Sequence, residues 1–408
     1  MKISDVYKDV DAAKSRIENL RDEFKNSFGD SNNLRFFSCP GRSEIIGNHT
    51  DHQGGQVIAC SIELDILACA SPRGDKIVRI KSGEDLMELD LQNLEKQADE
   101  VGNSAGLIRG AAAGLAELGA NLSGFDAVLD STVPLGSGLS SSAAFSVLVG
   151  KIFATLSDFE TNSTTLAKNA KFAENIYFEK PCGLMDQLAT ATGGMVYIDF
   201  EDAENPIIER LECDLKSANL NLVITNTGGS HADLTNAYAQ IPADMKEVAA
   251  AMGNEILSEC EEKDFYKKFL YPGRDAALIS ERAKNRAVHY FNECARVKLL
   301  KESIENSDFN EFLKIITESG LSSMNQLQNV YYAENDEQNL ADGLKKSAKI
   351  LKNKGAVRVH GGGFAGTILA FVPNEILQKY VAKMNKIFGE SSAIISNIRD
   401  VGVCEIEV

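Results

Sequence analysis

The chain has 408 residues, 44% of them apolar and 25% charged, the balance of an ordinary globular protein with length for about two domains. A formal charge of −17 argues against a nucleic-acid partner and against attraction to anionic lipid. No run approaches the ~18 apolar residues of a transmembrane helix, so no membrane association is expected.

In chain order, Ile3, Tyr7, Val10, Ile17, Leu20, Phe24 and Phe28 recur at helical spacing and predict one amphipathic N-terminal helix. Residues 34–39 read as a short strand, 56–70 as a longer one, and 76–91 as a hairpin turning at Ser82-Gly83. A helix is predicted over 105–118, closed by Gly119, and a strand over 125–133. Two helices follow, 143–156 and 164–178, then a strand at 194–200. The polar stretch 201–206 reads as a domain boundary, dividing the chain into 1–205 and 206–408. A strand at 220–225 opens the second half, and helices dominate to about residue 352. Residues 355–372 read as strand, glycine turn, strand; a helix over 374–387 and strands near 393–398 and 404–408 finish the chain. The mixture lacks a regular βαβ rhythm and reads as α+β. The eight cysteines are scattered without CxxC pairs and read as reduced, mostly buried thiols, which points to the cytoplasm. Residues 1–30 are charged throughout and show no apolar signal core.

Four stretches carry chemistry. The first is Pro134-Leu135-Gly136-Ser137-Gly138-Leu139-Ser140-Ser141-Ser142-Ala143-Ala144, between a strand and a helix. Glycines open conformations closed to other residues, and serines at a helix start can cap it. The N–H groups of a helix start favour an anion, most often a phosphate. The stretch is neither a Walker A loop nor a dinucleotide fingerprint, and a serine-capped tight turn is the bland alternative. The second runs from Pro40 to Gly55 and packs Arg42, Glu44, His49, Asp51 and His52 among glycines. Asp51 and His49 offer paired acceptors and donors to a polyhydroxy ligand, and Arg42 a fixed charged fork. A polar surface loop or a metal site on His49, Asp51 and His52 are the alternatives. The third pairs Glu174, on a helix, with Asp186 after the turn Pro181-Cys182-Gly183; one acid could hold Mg²⁺ and the other act as a base, or both could be solvated surface groups. The fourth, His360-Gly361-Gly362-Gly363-Phe364-Ala365-Gly366-Thr367, allows close approach of backbone to a ligand, or makes a hairpin or bulge.

Together these stretches resemble the galactokinases of the GHMP kinase family. GRSEIIGNHTDHQGG resembles the galactokinase signature, PLGSGLSSSAA the family's phosphate loop, GGGFAGT its C-terminal glycine motif, and CGLMDQ the segment with the catalytic aspartate. The resemblance implies a two-domain GHMP kinase fold of the α+β class, with the active site between the domains. It implies ATP-dependent phosphorylation of galactose at the anomeric hydroxyl, with ATP and Mg²⁺ as cofactors, by a cytoplasmic monomer. Residue by residue, it implies that Gly136, Ser137, Gly138, Leu139, Ser140, Ser141 and Ser142 cradle the ATP phosphates. Ser142 and Glu174 would bind Mg²⁺, Asp186 would be the general base, and Arg42 would sit beside it. Asn48, His49, Thr50 and Asp51 would face the sugar, joined by Gly183 and by Tyr238, the tyrosine after Gly228-Gly229-Ser230. The sequence departs from the signature at Asn48, where Glu is usual, and at His52, where Tyr is usual. His360-Gly361 also stands where relatives often show other small residues. These departures leave a kinase for N-acetylgalactosamine or arabinose as an alternative, and beyond it a sugar sensor without turnover.

Overall fold

The structure, a computed structural model, describes residues 1–134, 138–228, 235–270, 278–331, 339–364 and 366–408. Among these residues the helices are α1 (Ile3–Val6), α2 (Val10–Phe28), α3 (Ser104–Glu117), α4 (Ser141–Leu156), α5 (Ser163–Phe172), α6 (Met185–Thr192), α7 (Thr235–Met252), α8 (Glu262–Phe265), α9 (Glu281–Glu305), α10 (Phe309–Ser322), α11 (Asn339–Leu351) and α12 (Leu377–Phe388). The strands are β1 (Arg35–Ile46), β2 (Gln56–Pro72), β3 (Ile77–Ser82), β4 (Asp85–Asp90), β5 (Phe125–Ser131), β6 (Met195–Asp199), β7 (Ile207–Leu211), β8 (Leu220–Asn226), β9 (Ala356–Val359), β10 (Thr367–Pro373), β11 (Ala393–Ser396) and β12 (Cys404–Ile406).

An eight-stranded sheet has the order β12-β1-β2-β5-β3-β4, with β6 beside β2 and β7 beside β6; a four-stranded sheet has the order β11-β8-β10-β9. All pairs are antiparallel except β3 with β5. Strand β2 is long enough to serve two neighbours: residues 66–72 pair with β5, and residues 56–60 with β6.

Alternation along the strands covers both faces of the larger sheet. Phe36, Leu67, Cys69 and Val128 point to a cluster with Ile17, Leu20 and Phe24 of α2. Phe37, Ala68, Ala127 and Leu129 point to the core shared with Ile108, Val147 and Leu166 of α3, α4 and α5. Ile17 is 1% exposed, so truncation to Ala would cost about 2–5 kcal/mol.

Local chemistry moves several boundaries away from the sequence reading. The single N-terminal helix is broken: Tyr7 turns extended, its hydroxyl donates to Asp65 at 2.5 Å, and Asp9 caps a new helix through the Ala12 N–H. Strand β1 runs on past Cys39 to Ile46, because pairing with β2 continues through two register shifts, between Pro40 and Arg42 and between Glu44 and Ile46. Such bulges bend a strand and re-aim its side chains. The segment after α5 closes in a π-turn, Ala173–Tyr177, which carries Glu174. Strand β7, largely solvent-facing with Ile207, Glu209 and Arg210 exposed, has no apolar pattern to announce it and is held by pairing with β6.

Candidate active site

Arg42 and Asp186 meet across the fold. The bulged β1 aims Arg42 inward, and the turn at Pro181–Gly183 delivers Asp186 to the first turn of α6. The guanidinium grips the carboxylate with both prongs, Nε to Oδ1 and Nη2 to Oδ2, each 2.7 Å. Its third contact is to the Gly138 carbonyl, which ties the pair to the glycine–serine turn. Ser140 stands at the N-cap of α4 in left-handed conformation, φ +58°, and caps nothing: its hydroxyl donates to Asp186 Oδ2. This corrects the expectation of a serine cap, and leaves the first turn of α4 without a side-chain acceptor. Burial pushes the Asp186 carboxyl up, but the Arg42 charge and the hydrogen bonds from Arg42 and Ser140 outweigh it and hold the group below the usual range.

Next to this pair, Ser142 Oγ donates to Glu174 Oε2 at 3.4 Å, and Gln187 Nε2 donates to Glu174 Oε1 at 3.1 Å. Lys180 Nζ lies 3.3 Å from Ser142 Oγ and 3.4 Å from Glu174 Oε2. Burial raises the Glu174 carboxyl, with Lys180 opposing. A buried carboxylate and a hydroxyl are two hard oxygen donors, a set that suits a small divalent cation. Lys180 was missed in the sequence; its signal was a lone cation immediately before Pro181 and the aspartate segment.

The loop after β1 holds the other expected residues in two layers. Asn48 and Thr50 form the inner layer. The Asn48 side chain, 1% exposed, donates to Gly361 O at 2.7 Å and Glu44 Oε1 at 3.1 Å, and accepts from Asn329 Nδ2 at 2.7 Å. The Thr50 hydroxyl lies 2.9 Å from Gly47 O and 2.7 Å from Gln56 O. Both side chains spend their hydrogen bonds on the protein and so position the outer layer; Asn48 also lines the cavity beside Asp51, whereas Thr50 does not. His49, at φ +61°, donates from Nε2 to Gly362 O at 3.0 Å. Its Nδ1 then accepts from His52 Nε2 at 3.3 Å, and His52 Nδ1 accepts from Gln53 Nε2 at 3.3 Å. Burial drives His49 down to about 4 and His52 to about 3, so both rings are neutral. All four ring nitrogens are used in this chain of bonds, and among the described residues there is no metal-binding group of three or more His, Cys, Asp or Glu. Asp51 opens onto the cavity. Burial, aided by the Asp186 charge, pushes its carboxyl up to about 6 against the pull of backbone N–H groups and Arg42. A Cβ on Gly183 would run into the Asp51 carboxylate, so glycine there keeps that oxygen accessible.

Two cavities meet at the Arg42–Asp186 pair. One, of about 620 Å³, is lined by Asp51, His52, Gly183 and Asn48; the other, of about 630 Å³, by Gly138, Leu139, Ser140, Ser141, Ser142, Lys180 and Tyr238. Arg42, His49, Asp186, Gly361 and Gly362 line both. Tyr238 thus lies on the side of the serine turn rather than with Asp51. Its hydroxyl donates to Gly363 O at 2.8 Å, and its ring fills the place a Gly362 side chain would take. Gly136 and Ser137 lie outside the described residues. A larger groove of about 970 Å³, between Phe309 and Glu375, gathers none of these residues.

Comparison with known proteins gives the family. Residues 22–72 match the galactokinase galactose-binding signature, and residues 106–194 the GHMP kinases N terminal domain. The chain is 30% identical to a galactokinase of Haemophilus influenzae, over 83% of this chain and 85% of that one. It is 28% identical to a galactokinase of Fusobacterium nucleatum, over 94% and 98% respectively. The structure of Lactococcus lactis galactokinase complexed with galactose superposes with a TM-score of 0.81 at 24% identity, over 95% of this chain and 99% of that chain. Methanococcus jannaschii mevalonate kinase shares the fold alone, with a TM-score of 0.61 at 15% identity over 90% and 99%. With both signatures in place and relatives matched over most of their length, this chain belongs to the galactokinase family of the GHMP kinases.

Proposed function

We propose that this protein is a galactokinase, transferring the terminal phosphoryl group of ATP to the anomeric hydroxyl of galactose. The observation that carries the reading is the Arg42–Asp186 fork, held where two cavities meet. One cavity offers Asp51 to a sugar, with the His49 and His52 rings in its wall; the other offers the glycine–serine turn and the start of α4 to phosphates. Asp186 is the proton acceptor. Among the described residues its Oδ2 receives Arg42 and Ser140, whereas Oδ1 receives only Arg42 Nε, so Oδ1 keeps an open acceptor position for the sugar hydroxyl. Arg42 keeps that carboxylate ionised. A base this acidic suffices because a loose phosphoryl-transfer transition state demands positioning and charge stabilisation more than proton affinity.

Ser142 Oγ and the Glu174 carboxylate would hold Mg²⁺, with Lys180 sharing that corner. When bound, the ion would supply positive charge against the phosphates. Gly183 and Asp51 contact the sugar, while Asn48 and Thr50 hold the loop, and Tyr238 braces the glycine motif. The reading takes the enzyme to be a cytoplasmic monomer; the division at 1–205 and 206–408 is not clean, because β7 and β12 of the second half pair into the larger sheet with β6 and β1. The eight free thiols fit a reducing compartment; among the described residues no helix is long and apolar enough to cross a membrane.

A coupled ADP-release assay over galactose, N-acetylgalactosamine, arabinose and glucose tests the assignment. Galactose should have the highest kcat/KM; a higher value for arabinose or N-acetylgalactosamine would reassign the acceptor. In the same assay Ser142→Ala and Glu174→Gln should each raise the Mg²⁺ concentration for half-maximal rate, and an unchanged Mg²⁺ dependence would remove them as ligands.

A further inference from the structure

His360 closes β9 at the edge of the glycine motif and takes no part in the scheme above. Its ring is 3% exposed. Nε2 is 3.1 Å from Ser43 Oγ, the residue after Arg42 on β1, while Nδ1 has no hydrogen-bond partner among the described residues. An unpaired buried polar atom is costly, so its direction matters. Nδ1 faces the glycine–serine turn: a Cβ built on Gly138 would stand 3.5 Å from Nδ1 and 3.8 Å from Thr367 Oγ1, with nothing closer. Gly138, at φ +74°, leaves that space open. Its carbonyl is the one gripped by Arg42, so the opening lies beside the base.

The tautomer follows from Ser43. That hydroxyl is fully buried and its hydrogen has no acceptor among the described residues except His360 Nε2. Ser43 therefore donates to Nε2, and the ring proton sits on Nδ1, turned into the site. Burial, reinforced by the Arg42 and Arg358 charges, drives the imidazole down to about 3, so the group is a neutral donor. A neutral N–H beside an arginine already paired with Asp186 can bind an anionic oxygen without adding charge.

Resting on the kinase reading, we infer that His360 Nδ1–H donates a hydrogen bond to an oxygen of the phosphoryl group being transferred, making His360 a phosphate-contacting residue in the cavity that Ser142 also lines. The glycine motif then has two tasks: its carbonyls anchor Asn48, His49 and Tyr238, and its leading histidine reads the terminal phosphate.

Two variants separate the ring's two nitrogens. In His360→Asn the amide nitrogen can take the place of Nδ1; in His360→Gln the longer amide reaches towards Ser43 and leaves the phosphate side empty. Calorimetry without sugar would measure binding of ADP and of a non-hydrolysable ATP analogue. The Gln variant should bind the analogue about 10- to 100-fold more weakly, the range for a hydrogen bond to a charged oxygen, with ADP affinity within about twofold of native. The Asn variant should recover most of the loss. In the native protein, ¹⁵N-edited NMR of the ring should show a protonated Nδ1 that shifts with the analogue and not with ADP. Equal losses for ADP and analogue, weaker galactose binding with nucleotide binding intact, or a ring proton on Nε2 would each overturn the inference. Turnover of galactose by the native protein tests the kinase reading separately: its absence alongside an intact analogue-versus-ADP difference sinks that reading and not the role of His360.

Discussion

Asp51 offers a perturbation in which stability and function move in opposite directions. Its carboxyl stands at about 6 in the folded protein against an ordinary 3.8, chiefly because of burial and then the Asp186 charge. The folded state therefore binds the extra proton between about pH 4 and pH 6, and stability is lost as pH rises through that window. The gap corresponds to at most ~3 kcal/mol at about 1.36 kcal/mol per unit. Because the carboxylate is partly open to solvent, about half of that is the expected net effect. Asp51→Asn does not titrate. It should match the native protein near pH 4 and exceed it by ~1.5 kcal/mol near pH 7 in paired urea melts. Carboxylates remote from Asp51 titrate alike in both proteins, so the difference reports this group together with its coupling to Glu44 and Asp186. The same variant should bind galactose about 10- to 100-fold more weakly, since a charged acceptor is lost. A stability difference that stays flat across this pH range would refute the burial argument. Unchanged galactose affinity would remove Asp51 from the sugar site.

Asn48→Glu, which restores the residue usual in the signature, should destabilise the fold by about 3 kcal/mol, because it sets a second buried carboxylate against Glu44 and the Gly361 carbonyl. Thermal melts would show this, and an unshifted midpoint would mean that Asn48 is not enclosed. Asp186→Asn should lower kcat by about 10²–10⁴ with galactose affinity nearly kept, as for loss of a general base. A near-native kcat would take Asp186 out of the mechanism.

The sequence by itself determined the α+β class, the positions of most strands and helices, and the stretches that meet around the Arg42–Asp186 pair. Periodicity carries the elements, since one residue in two or in 3.6 must be apolar to bury a face. The motifs carry the centre because fixed spacing within a turn brings its own groups together: Ser140 and Ser142 at one helix start, or Gly183 three residues before Asp186. What spacing cannot state is how a side chain's bonds are spent. Thr50 and Asn48 are sugar-facing residues by resemblance to the signature, yet their hydrogen bonds go to Gly47, Gln56, Gly361 and Asn329, some of them hundreds of residues away. Ser140 reads as a cap, yet its hydroxyl serves Asp186, forty-six residues on. Lys180 carries no motif of its own, and His360 heads the glycine motif without a chemistry the motif announces; a turn and a strand end set them against the serine turn. Polar groups are short-ranged and directional, so their partners are decided by which backbones pack together, and β1, with its two bulges between β2 and β12, is the element that decides it here.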